Sequence, residues 1–153
     1  MIRTISIVSL NDDFELRFGN PKSGWADFSN PETRRVLSPA AIRGFFDIAR
    51  EWGLGESQMT SLLGGIPFPT LDTWKRNADE PVLDRDTITR ISVVLGIYKA
   101  LHTYFGDAGD YWITHPNDSS LFGGAIPVAF MIANGLEGMY ELRRMLDGWT
   151  VGH

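Results

Sequence analysis

Residues 83–105 read LDRDTITRISVVLGIYKALHTYF. Ile88, Ile91, Val94, Leu95, Tyr98, Leu101 and Phe105 recur at spacings of three and four, while Arg90, Lys99 and Thr103 fall towards the opposite side. A run this long with an unbroken 3.6-residue period predicts one long helix with a continuous apolar stripe.

Upstream, Ser38 reads as an N-cap and Pro39 as the first helical residue, where a missing N–H has no intrahelical partner to lose. Ile42, Phe45, Phe46, Ala49 and Trp52 then share one face of a helix that stops near Gly53. A short helix from Glu56 to Leu63, with Met59, Leu62 and Leu63 inward, stops at Gly64-Gly65. The segment Ile66-Pro67-Phe68-Pro69 reads as a loop. Thr70 reads as the cap of a third helix, 71–77, with Leu71 and Trp74 inward. Residues 1–37 have weak periodicity and read as an extended arm; Ile5, Ile7 and Ser9 could form one short strand.

Downstream, Gly106–Asp110 is a turn, Tyr111-Trp112-Ile113 a short apolar piece, and His115-Pro116-Asn117-Asp118 has turn chemistry. Pro127 opens a helix that ends at Asn134-Gly135. Leu136, Met139, Tyr140, Leu142, Met145 and Leu146 describe a last helix closed by Gly148, leaving the tail Trp149–His153. The expected architecture is all-α. An arm (1–37) precedes a helix-turn-helix domain (38–105), joined through the long helix to a small helical C-terminal domain (106–153).

The 153 residues suit one domain or two small ones sharing a core. Net charge is −5, with nine basic against eleven acidic residues in 1–80 and five against eight in 81–153. Neither half can coat nucleic acid by charge alone, so any DNA contact must come from a small patch. With no cysteine, a disulfide scaffold, a thiolate metal site and a cysteine nucleophile are excluded. The most apolar stretch, 122–135, is too short to span a bilayer, and the N-terminus lacks a leader pattern; a soluble, cytoplasmic protein is expected.

Catalytic arrangements are poor. His102, His115 and His153 lack the spacing of a helical metal site, and Ser119-Ser120 lacks a nucleophile-elbow context. Gly64-Gly65 and Gly123-Gly124 lack the lysine of a phosphate loop. No enzyme activity, cofactor or metal is expected. The two short helices around Gly64 carry more promise. With Leu71 and Trp74 inward, Asp72, Thr73, Lys75 and Arg76 are left towards solvent beside Thr70. Thr and Arg side chains reach base edges, and Lys and Arg hold phosphates. The plainer reading is a helical hairpin with a solvated face. Arg34-Arg35 could add phosphate contacts from upstream. In the 111–127 stretch, Trp112 and Leu121 read as core plugs, whereas Phe122, between a leucine and two glycines, could be an exposed contact.

Three features together resemble an Xre/MbcA/ParS-type antitoxin. They are Leu63-Gly64 followed by Thr70-Leu71 and Trp74; the long helix 83–105; and the series Trp112, Pro116-Asn117, Leu121, Gly123, Pro127 with a Gly-broken helix pair ending near Leu146-Asp147-Gly148. The likeness covers 38–152. It implies a helix-turn-helix antitoxin of a type II toxin-antitoxin system whose C-terminal domain binds and occludes a RES-domain toxin, an ADP-ribosyltransferase-like enzyme that consumes NAD. It further implies operator binding as a repressor through Thr70, Asp72, Thr73, Lys75 and Arg76, and hence a homodimer. Toxin contacts are expected at Trp112, Asn117, Leu121 and Phe122. The tail Trp149, Thr150, Val151, Gly152 and His153 is expected to enter the toxin cleft. The alternative is a stand-alone helix-turn-helix transcriptional regulator with a C-terminal oligomerisation domain.

Overall fold

The computed structural model describes residues 19–20 and 24–152. Helix α1, Pro31–Trp52, begins on Asn30. The Asn30 side-chain oxygen accepts from the backbone N–H groups of Glu32 (2.8 Å) and Thr33 (3.3 Å), with Pro31 in the first turn. This start lies well before the expected one at Ser38, so residues 31–37 of the expected arm are helical and Pro39 sits inside the helix. Asn30-Pro31 and Ser38-Pro39 share the same cap-then-proline pattern, and the first is the one used. Ser38 is fully buried. Its hydroxyl donates to the Arg34 carbonyl (2.6 Å) and accepts from the Leu83 N–H (2.9 Å), tying α1 to the lead-in of the long helix. Arg34 donates to the carbonyls of Leu83 (3.2 Å) and Phe28 (2.7 Å), and Arg35 pairs with Glu32. Arg34 therefore fastens this end of the fold, whereas Arg35 is exposed and pairs only within α1. The bond from Arg35 also holds the Glu32 carboxyl below its ordinary pKa.

Helix α2 is Glu56–Leu62 and α3 is Phe68–Arg76. Helix α4, Arg85–Phe105, is the long helix expected, capped by Asp84, whose carboxylate accepts from the Thr87 N–H at 2.8 Å. A single 3₁₀ turn, Gly106–Ala108, leads into α5, Gly109–Thr114. The segment Pro127–Gly152 is helical except at Gly135 (φ 66°, ψ −152°), which divides it into α6 (127–134) and α7 (136–152). The break falls where Asn134-Gly135 placed it. The end does not: Gly148 keeps a negative φ and the helix runs on to Gly152. The protein is all-α. Among the described residues the extended pairing is a two-residue antiparallel contact of Gly19–Asn20 with Gly24–Trp25. The strand expected at Ile5, Ile7 and Ser9 lies outside the described residues.

Helix α4 is the spine. Ile88, Ile91, Ile97, Tyr98 and Leu101 are all at most 1% exposed. Its stripe is covered by α1 on one side and by α5 and the α6–α7 pair on the other. One apolar cluster runs without interruption from Leu37 through Phe45, Leu62 and Leu71 to Met139, Leu142 and Leu146. Close approach is written into α4: a Cβ at Gly96 would fall 1.7 Å from the Arg143 guanidinium, which lies across the helix from α7. Among the described residues no helix is long and apolar enough to cross a membrane.

Candidate functional site

The turn from α2 to α3 follows from its two glycines. The Gly65 N–H donates to the Thr60 carbonyl (2.7 Å) and the Gly64 N–H to Ser61 (3.1 Å), the paired bonds of a Schellman stop. Both glycines take positive φ, 93° and 86°, a region that a side chain disfavours. The next element starts earlier than expected. Pro67 is extended (ψ 147°), and Phe68 and Pro69 already lie in α3, because the first helical turn asks nothing of a proline's missing N–H. Thr70 is thus in the first turn rather than the cap; its own N–H donates to the Pro67 carbonyl at 3.1 Å.

In α3 only Leu71 is fully buried; Trp74 is half-buried and Thr70 partly so. Asp72, Thr73, Lys75 and Arg76 are exposed, as expected. The Arg76 guanidinium reaches back one turn to Asp72 (2.8 Å), Lys75 lies 3.8 Å from Glu56 of α2, and the Thr73 hydroxyl donates to the Pro69 carbonyl (3.0 Å). The two cations are each held by an exposed carboxylate, an arrangement of little strength that a stronger anion can replace. Beside them, an open groove of about 710 Å³ separates α3 from α1.

The second region is built from aromatic rings. Trp112 on α5 stacks on Phe105 at the end of α4 (5.7 Å, 26°) and meets Phe122 edge-on at 5.6 Å. Phe122 in turn packs edge-on against Phe130 (5.3 Å). The loop between α5 and α6 is closed on itself: the Asn117 N–H donates to Ala125 (3.2 Å), and the Gly124 N–H donates to Asn117 (3.0 Å). The Asn117 side-chain oxygen accepts from the Ser119 N–H at 2.8 Å. Asn117 is therefore a loop clamp, and Phe122 is a core residue, only 6% exposed, instead of an exposed contact. Trp112 and Leu121 are half-buried. Tyr111 is exposed and stacks on His115 with ring centroids 3.7 Å apart.

The expected free tail is also corrected. Trp149 is part of α7, and its ring lies 5.4 Å from Tyr104, 5.7 Å from Trp112 and 6.1 Å from Phe105. Burying that indole against three rings outweighs the modest helix penalty of Gly148. Thr150, Val151 and Gly152 continue the helical backbone, and His153 lies outside the described residues.

The sequence reading missed one polar cluster. Asp110 accepts from the Trp52 indole N–H (3.0 Å) and pairs with His102 Nε2 (3.1 Å), while the His102 ring lies 4.3 Å from that of Tyr98. It joins α1, α4 and α5 at a point where the expected domain boundary falls. Its members are far apart in sequence, so no local spacing announces it. Among the described residues no group of histidines and carboxylates is arranged to hold a metal.

No protein-family model matches the chain. Over 126 residues it is 34% identical to the uncharacterized protein y4oB of Sinorhizobium fredii, an alignment spanning 81% of this chain and 95% of that protein. A match of this identity over nearly the whole relative exceeds what shared helical composition produces, and the chain belongs to the same family as y4oB.

Proposed function

We propose that this protein is an antitoxin that binds a RES-domain toxin, blocks access to its NAD-consuming active site, and represses the shared operon as a DNA-bound homodimer. Its action is steric, so none of its residues needs to perform chemistry. The observation that carries the reading is the series Trp112, Pro116-Asn117, Leu121, Gly123, Pro127. Pro116-Asn117, Leu121 and Gly123 lie in the loop between α5 and α6, closed on itself by the Asn117–Ala125 and Gly124–Asn117 bonds and flanked by Trp112 of α5 and Pro127 of α6, and such a pre-ordered loop suits occlusion. With Phe122 and Trp149 engaged in the core, contact with the toxin would come from the loop's outer edge, Tyr111 and the α7 end, and not from a free tail. The outer face of α3, with Asp72, Thr73, Lys75 and Arg76, would read the operator; two copies would meet its two half-sites.

A gene adjacent to this one that encodes a RES-domain protein should arrest growth and deplete NAD when expressed alone, and co-expression of this chain should restore both. An arrest that this chain does not relieve overturns the antitoxin reading. Retention of sequence-specific DNA binding in that case would favour the regulator alternative, which rests on the same exposed α3 face.

A further inference from the structure

The stretch between α4 and α6, residues 106–126, is sparsely anchored. Of these residues only Gly109, Ile113 and Phe122 are buried. Its α-helical part, α5, is six residues long, well under the roughly twelve that an isolated helix needs to hold itself. The seat of α5 is nevertheless close. A Cβ at Gly109 would fall 2.9 Å from the Leu101 Cβ and 3.0 Å from the Leu101 carbonyl oxygen. Something must keep so short a helix pressed against α4.

Asp110, in the first turn of α5, is placed to do so. One of its oxygens, Oδ1, accepts from two other helices at once: from the indole N–H of Trp52, the last residue of α1, at 3.0 Å, and from Nε2 of His102, in the last turn of α4, at 3.1 Å. A carboxylate can only accept, so His102 carries a proton on Nε2. Both donors are withdrawn from water, Trp52 being 5% and the His102 side chain 6% exposed. Their own positions do not depend on α5. The His102 ring lies 4.3 Å from that of Tyr98, and the Tyr98 hydroxyl donates to Glu51 of α1. Two fixed, buried donors thus converge on one acceptor that belongs to the weakly anchored segment, and lifting that acceptor away leaves both in a place that water reaches poorly.

We propose that residues 109–126 form a strap that opens from the body of the protein as one unit, and that Asp110 is the latch that holds it shut. The strap carries the exposed Tyr111 and the loop closed between Asn117 and Ala125, so the latch sets the pose in which this face meets a partner. A face already held in that pose loses less conformational entropy on association. Asp110 is a positioning residue in this scheme: it acts through α5 and touches no partner itself. The latch is the same whether the partner is a toxin or another protein.

The test is native-state hydrogen exchange of the full chain, read amide by amide by NMR at several low urea concentrations. In the wild type, the protected amides of α5 and of the loop, among them Asn117, Phe122 and Gly124, should exchange with one common opening that is faster and less urea-dependent than that of the α4 centre, Ile91 to Tyr98. Asp110→Ala should speed this opening about tenfold or more, the scale of one hydrogen bond to a charged group. His102→Phe keeps a ring against Tyr98 and removes one donor; it should speed the opening by less than Asp110→Ala does, and add no further rise in the Asp110→Ala background. Exchange of α5 and the loop only together with the α4 centre overturns the proposal, because no separate strap then exists. An opening unmoved by Asp110→Ala, or a His102→Phe effect that persists in full without Asp110, overturns it too, because the latch then lies elsewhere. Should Asp110→Ala not fold, the wild-type comparison still decides whether the strap exists, and an opening that His102→Phe leaves unmoved still overturns the latch.

Discussion

The α2–α3 pair and the C-terminal aromatic region were both read as surfaces for partners, yet they handle their candidate residues in opposite ways. Helix α3 leaves Asp72, Thr73, Lys75 and Arg76 in solvent and attaches to the fold through Leu71 and the edge of Trp74. The aromatic region takes Phe122 into the core and holds Trp112 and Trp149 half-inside, ring against ring with Phe105. Polar side chains are displayed because water already satisfies them. Large apolar rings are drawn inward because each removes apolar area from water on the order of 150 Å² or more. Any surface role of the C-terminal half must therefore be separated from its structural role, whereas in α3 the two are already separate.

The sharpest break of this comparison is Phe122→Ala. It should destabilise the protein by about 3 kcal/mol, as for a buried aromatic that touches two other rings, measured by urea unfolding. A loss below about 0.5 kcal/mol, the surface range, would return Phe122 to the surface class. Trp149→Ala should lose about 2 kcal/mol, less because its ring is only half-buried. Trp149→Phe should recover most of that. If toxin rescue fails with Trp149→Ala and returns with Trp149→Phe, the ring acts through packing; failure of both with an unaltered melting temperature would make it a direct contact.

The sequence disclosed the elements whose signals are local. The stripe of α4, the Gly64-Gly65 stop and the Asn134-Gly135 break were all legible, since period and αL glycines are properties of a few neighbouring residues. The errors fall where two local signals compete and tertiary burial decides. Asn30-Pro31 and Ser38-Pro39 are both acceptable helix starts. Only the distant Leu83 N–H, which binds the Ser38 hydroxyl, shows why the second lies inside. Gly148 is an acceptable stop until Trp149 finds Trp112 and Tyr104. In the same way, the outward side of α3 was readable from Leu71 and Trp74. The groove beside α3, and the Trp52–Asp110–His102 cluster, required knowing which helices meet.

The small effects are expected in the other region. Gly64→Ala should lose about 1 kcal/mol, the usual penalty for a Cβ at positive φ. It would add a contact 3.1 Å from Arg90 Nε and 3.2 Å from Asp86, which the flexible Arg90–Asp86 pair can relieve. Lys75→Ala with Arg76→Ala should change stability by no more than about 0.5 kcal/mol, because the bonds removed are exposed ion pairs. The same double variant should weaken binding to operator DNA and flatten its salt dependence, while toxin binding is retained. A footprint unchanged by the double variant would remove α3 from DNA reading without touching the packing argument. A loss of stability well above the surface range would mean that Lys75 and Arg76 hold α3 in place, and the contrast between a displayed helix and a buried aromatic cluster would then fail at its simpler end.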